Sequence, residues 1–144
     1  MTRVDFYLLP DVDTDARHRF VCRLAQKAVR DGRRVYLEAE DDAHGRWLDR
    51  LLWEYPDAQF LPHALAPDPD AARAPVVIGF GQPPDIDQML INLSRGIPAW
   101  FGRFERVAEI VIEPQRGEGR ERYRQYREKG HQLFHHDLED WEDK

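Results

Sequence analysis

The sequence predicts a single α/β domain, a three-layer α/β/α arrangement around a mostly parallel sheet. Three observations point there. Short apolar runs that suit buried strands alternate with longer amphipathic stretches. The chain opens in the order strand, helix, strand, helix, the pattern of a parallel sheet covered by helices. Its 144 residues are enough for one core and too few for two comfortable domains.

Val4 to Leu9 reads as a buried strand stopped by Pro10. The run Asp11 to Asp15 offers an N-cap and first-turn carboxylates. Phe20, Val21, Leu24, Ala25, Ala28 and Val29 then recur at helical spacing, and Gly32 ends that helix. Arg34 to Glu38 is a second strand. Asp41 and Asp42 cap a second helix, with Trp47, Leu48, Leu51 and Leu52 on one face and Pro56 beyond its end. Gln59 to Pro62 suits a brief third strand, and residues 67–74 form a surface loop rich in proline and aspartate. Pro75 to Gly81 is apolar enough for a central strand. Met89 to Leu93 is another strand, Pro98 to Phe104 a helical turn, and Val107 to Ile112 a further strand. A charged helix follows from about Glu118 to Lys129. Residues 1–134 are assigned to the domain and 135–144 to an acidic tail.

Hydrophobic residues make up 42% of the chain and aromatics 11%, which excludes a disordered chain. Lys and Arg number 21 against 27 Asp and Glu, a net charge of −6. Such a balance repels phosphodiester and argues against general nucleic-acid binding. The lone cysteine, Cys22, excludes an internal disulfide and fits a reducing compartment. The apolar start is too short for a signal peptide, and no segment approaches the ~18 apolar residues of a membrane span. The reading is a soluble, cytoplasmic protein with no cofactor and no metal.

Gly79 and Gly81, after an apolar strand, invite a phosphate-loop reading. However, the third glycine of GxGxxG and any Gly-Lys-Ser/Thr are missing, and Pro83 and Pro84 remove N–H donors. His18 and Cys22 lie four apart on the first helix without a third ligand, and His135, His136 and Asp137 have no second cluster to pair with. The acidic pairs Asp41/Asp42 and Asp68/Asp70 are explained by caps and turns. No catalytic arrangement emerges. Two surfaces stand out instead. Arg120, Tyr123, Arg124 and Arg127 recur at i, i+3, i+4 and i+7 on the C-terminal helix, where arginines beside a ring suit a peptide carboxylate with an apolar neighbour. Trp53 to His63 sets large aromatics between prolines, in positions that suit either core or an interface anchor, and core is favoured.

These features, with Phe6 to Leu9, Trp53, Phe60-Leu-Pro-His63, Ala74 to Ile78, Leu90 to Leu93, Phe101 to Val107 and Arg120 to Arg127, resemble the chi subunit family of bacterial DNA polymerase III over nearly the whole chain. The resemblance implies a single α/β domain of Rossmann-like shape without a nucleotide site, and a non-catalytic accessory role in the replicase. It implies two partners: the psi subunit, which ties chi to the clamp loader, and the C-terminal tail of single-stranded DNA-binding protein, acidic and ending in Pro-Phe. Arg120, Tyr123 and Arg124, with Arg127 on the same face, match the tail-binding positions. Trp53, Phe60 and Pro62 match the surface for psi and for a helicase that shares it. The resemblance does not extend to a tail contact at Arg116, where the loop 113–119 looks shorter than in some relatives. Two rivals are carried alongside: a small nucleotide-binding or hydrolase-like enzyme using Gly79 and Gly81, and a direct single-strand DNA binder, which the net charge disfavours.

Overall fold

The computed structural model describes residues 2–55, 61–81 and 85–143. Among the described residues seven strands form one sheet in the order β3-β4-β2-β5-β6-β1-β7, and every adjacent pair is parallel. They are β1 (Arg3–Leu8), β2 (Val35–Glu38), β3 (His63–Leu65), β4 (Val76–Gly79), β5 (Met89–Asn92), β6 (Arg106–Val111) and β7 (Gln132–Asp137). Three helices cover them: α1 (Thr14–Arg30), α2 (Asp42–Glu54) and α3 (Arg116–Glu128). The single three-layer α/β/α architecture expected from the sequence is the one observed.

Local chemistry starts and stops these helices as the sequence indicates. The Asp13 carboxylate accepts from the Ala16 N–H at 2.8 Å to cap α1, and Asp41 does the same for the His44 N–H at 2.7 Å on α2. Gly32 closes α1 in the left-handed conformation, at φ +85°. Side chains then alternate across the sheet, as a period of two requires. Leu37, Ile78, Ile91, Ala108 and Ile110 pack in one cluster with Val21, Leu24, Ala25 and Ala28 of α1 and Leu48 and Leu52 of α2. Val4, Phe6, Leu90, Val107 and Val111 face the other way, under Tyr126 of α3 and the loop residues Phe101 and Phe104.

Three expectations are corrected. Trp47 is 40% exposed, although it falls on the apolar stripe of α2; it leans on His18 of α1, with ring centroids 4.5 Å apart, instead of entering the core. The third strand lies at His63–Leu65 and not at 59–62, of which Gln59 and Phe60 lie outside the described residues. The segment read as an acidic tail begins as β7, paired with β1 in register Phe6↔His135. Its end folds back: Trp141 is 8% exposed, its ring 5.3 Å from Phe20, and its Nε1–H donates to Asp11 at 2.8 Å.

Trp141 therefore belongs to the core in energetic terms. Trp141→Ala is expected to lower the unfolding free energy by about 3 kcal/mol, read from urea denaturation. An unchanged midpoint would return the segment to the status of a tail.

Candidate functional site

α3 is charged along most of its length, yet two of its polar residues are buried. Arg122 and Tyr126, one turn apart, both reach Glu109 of β6, which has no exposure to solvent. Tyr126 Oη–H donates to Glu109 Oε2 at 2.7 Å, Asn92 Nδ2–H donates to the same oxygen at 2.8 Å, and Arg122 Nε stands 3.1 Å from Oε1. Burial pushes the Glu109 carboxyl up from its ordinary value, while Arg122, Asn92, Tyr126 and Arg17 pull it back. One turn earlier, Gly119 brings the helix backbone onto the sheet: a Cβ there would lie 3.0 Å from Val111 Cγ2.

With no side chain at position 119, a hollow of about 380 Å³ remains between helix and sheet. Phe6, Leu8 and Val111 make its floor, Tyr123 a wall and Arg120, Arg116 and His135 its polar rim. The Tyr123 ring is held 5.2 Å from that of Phe6. An apolar group can fill this hollow while its charged end meets guanidinium donors. Of the four residues singled out on α3, the structure brings Arg120 and Tyr123 together here. Arg124 lies outside the hollow, 53% exposed in its side chain and held by Glu121 at 2.5 Å and Glu128 at 2.9 Å. Arg127, in the last turn, also lies outside it.

The sequence reading set Arg116 aside and missed His135, and both are rim residues. The signal for the first was the alternation Arg116-Gly-Glu-Gly-Arg120, in which two glycines flank a helical turn. His135 became visible only with β7. Its neighbour His136 points to the opposite face, where it hydrogen-bonds Asp5 at 2.9 Å and stacks on Tyr7, so the two histidines form no cluster.

The second surface lies at the β3 edge. Trp53 is 54% exposed, against the core placement favoured from sequence, and its ring lies 4.5 Å from that of His63. The His63 ring is buried and fixed, with Nδ1 at 2.8 Å from the Leu61 carbonyl and Nε2 at 2.9 Å from that of Asp49. Trp53 and the exposed Pro62 border the same shallow depression. Phe60 lies outside the described residues.

A family model described as "DNA polymerase III chi subunit, HolC" matches residues 1–134. The chain belongs to the DNA polymerase III chi-subunit family. It is 45% identical to the DNA polymerase III subunit chi of Pseudomonas aeruginosa over 141 residues, covering 96% of this chain and 98% of that one. It is 32% identical to the Escherichia coli subunit chi, over 92% and 96% of the two chains. To the Haemophilus influenzae subunit chi it is 28% identical, over 89% and 92%. As a chi-family chain it is an accessory subunit of the replicase and not its catalyst.

Family membership removes the enzyme rival, and the glycines on which that rival rested have other duties. A Cβ on Gly79 would lie 2.6 Å from the Tyr36 hydroxyl, so close packing demands glycine there. The Gly81 N–H, which a phosphate would need, donates to Glu38 Oε2 at 2.9 Å. A carboxylate in that place repels an anion. Cys22 is buried, its thiol pushed up to about 12 by burial, and it packs in the core with its neighbours. Among the described residues no group of three or more His, Cys, Asp or Glu is placed to hold a metal ion, and no helix is long and apolar enough to cross a membrane.

His18 meets His44 of α2 and not Cys22, with the two Nε2 atoms 3.0 Å apart. Glu40 N–H donates to His44 Nδ1 at 3.0 Å, which leaves His44 Nε2–H to donate to His18. His18 Nδ1–H is then free to donate to the Thr14 carbonyl at 2.8 Å. The chain of bonds is complete only with both rings neutral. Burial first, and His44 second, push the His18 imidazole down to about 4 from an ordinary 6.5. The unfolded chain therefore takes up a proton that the folded chain refuses. Stability is full above about 6.5 and is lost as pH falls toward about 4. For this partly exposed ring the expected loss is about 2 kcal/mol, after allowance for solvent screening. Denaturation midpoints across that window should fall less steeply in His18→Gln, and an identical slope would refute the assignment.

Proposed function

We propose that this chain links the replicase to single-stranded DNA-binding protein, gripping that protein's acidic C-terminal tail in the α3 hollow while its β3 edge holds the psi subunit of the clamp loader. The observation that carries the reading is the hollow itself. A tail ending in Pro-Phe presents an apolar ring, a terminal carboxylate and upstream acids. Phe6, Leu8, Val111 and Tyr123 give the ring an apolar seat, and Arg116 and Arg120 stand at its mouth. Among the described residues neither arginine makes an ion pair, so both reach a ligand without first losing a partner. Arg124 must first release Glu121 and Glu128, and it serves the upstream acids; Arg127, a turn further on, extends the same cationic flank. In an otherwise acidic chain, this grouping favours a short peptide over a phosphate track.

For psi, support comes from Trp53, an indole 54% exposed on a fixed histidine beside exposed Pro62, as an interface anchor requires. Phe60 is the remaining member of that proposed surface, and a helicase that shares it would compete with psi. The cell compartment that fits this role is the cytoplasm.

Arg120→Ala should weaken binding of a labelled tail peptide by about 1–3 kcal/mol, the scale of a charge-assisted hydrogen bond. Arg124→Ala should cost less, because its charge is already shared with two carboxylates on its own helix. Deleting the peptide's final Phe should be at least as damaging as Arg120→Ala, and added salt should weaken the wild type. Fluorescence anisotropy reads all four, and unchanged affinity for both Arg120→Ala and the shortened peptide would leave α3 a solvated face.

Trp53→Ala is the matching test for psi. Capture of psi should fall by about tenfold or more while thermal stability changes little, because more than half of the indole is already in water. A lowered melting temperature with intact capture would assign Trp53 to packing alone.

A further inference from the structure

We infer that α1 carries a second peptide-docking groove, on the sheet face opposite the α3 hollow, for an acidic segment bearing an aromatic residue. The chain's own end shows what α1 receives. Trp141 packs its indole against Phe20. Arg23 Nη1–H donates to the Trp141 carbonyl at 2.9 Å, with the guanidinium 5.5 Å from the indole centroid. Arg19 grips the Glu142 carboxylate with two donors, each at 2.9 Å. An indole followed by a carboxylate is thus already seated on the first half of this helix face.

The same face continues beyond Trp141 as a cavity of about 670 Å³, with Tyr55 among the residues that line it. Lys27 and Arg30 follow Arg23 at i+4 and i+7, which extends the cationic row along α1. Both are exposed and, among the described residues, neither makes an ion pair. Among the described residues no acidic one lines the cavity, although the chain carries a net charge of −6. Aromatic walls and a row of cations repeat the chemistry that already holds Trp141 and Glu142. Three cations on one helix are too short a track for a nucleic-acid backbone, so the occupant is a peptide.

The probe is a fluorescein-labelled Asp-Asp-Asp-Trp peptide, amidated at its C-terminus so that it lacks the terminal carboxylate on which the α3 reading depends. Titrated with the full chain, it should bind saturably. Affinity should stay within about twofold in Arg120→Ala and fall about tenfold in Lys27→Glu/Arg30→Glu, a reversal of two exposed charges that leaves the circular dichroism unaltered. Absence of saturable binding would overturn the inference, as would insensitivity to the double reversal. A loss confined to Arg120→Ala would assign the peptide to the α3 hollow and overturn it too. Displacement by oligodeoxythymidine but not by polyaspartate would identify a nucleic-acid track in place of a peptide groove. Binding here with no binding of the Pro-Phe tail at α3 would keep this groove and retire the tail reading, and the converse result would do the reverse.

Discussion

A carboxylate with no exposure to solvent, Glu109, sits on the strand beneath α3, and the helix is placed by what that carboxylate needs. Removing such a charge from water costs several kcal/mol unless it is surrounded by donors. Tyr126 supplies a donor from α3 and Asn92 another from the neighbouring strand, both to Oε2, while Arg122 sets its charge 3.1 Å from Oε1. Held by Arg122 and Tyr126 together, α3 presents one face to the sheet. That placement turns Gly119 toward Val111 and Tyr123 toward Phe6. The hollow and its arginine rim are consequences of a hydrogen-bonding requirement one helical turn away.

The sheet was legible because its strands are buried on both faces, and burial on both faces writes a continuous apolar run such as Val76 to Gly79. β7 was not legible for the opposite reason. As an edge strand it carries Gln132, His135 and Asp137, all exposed, and its membership rests on backbone pairing with β1, which composition does not record. Trp47 failed in the other direction: periodicity places it on the apolar stripe, but only the neighbouring helix decides whether a stripe residue enters the core or leans on a histidine. Trp53 is a similar case, since an anchor for a partner and an anchor for the core look alike until exposure is known.

At the site, spacing found the helix face and not its boundary. Arg120, Tyr123, Arg124 and Arg127 share a stripe by arithmetic, yet the intervening Glu121 and Glu128 divert Arg124 along the helix. The acids that weaken a residue's availability were in the same segment of sequence. Pair geometry at i+3 and i+4 gives both directions equal reach, so the sequence alone did not say which partner wins. The floor follows from alternation, which sends Ile112 to the α1 face and Val111 to the hollow.

Parallel α/β sheets commonly hold small ligands outside the carboxyl ends of their strands. Here three of those ends are occupied by the chain's own polar groups. At β2, Glu38 takes the Gly81 N–H and the Tyr36 hydroxyl. At β5, Asn92 takes the Ser94 N–H and hydroxyl and donates to Gly96 and Glu109. Near the end of β6, Glu109 is enclosed by α3. At these three ends the donors named are already given to oxygens of the chain, and two of the acceptors, Glu38 and Glu109, are carboxyl groups. With these three ends spent on internal bonding, the recognition proposed above falls outside them, in a hollow under one helix, on the outer face of another and at an aromatic edge. On that reading the surfaces meet proteins, which is what an accessory subunit needs from a fold better known for binding nucleotides.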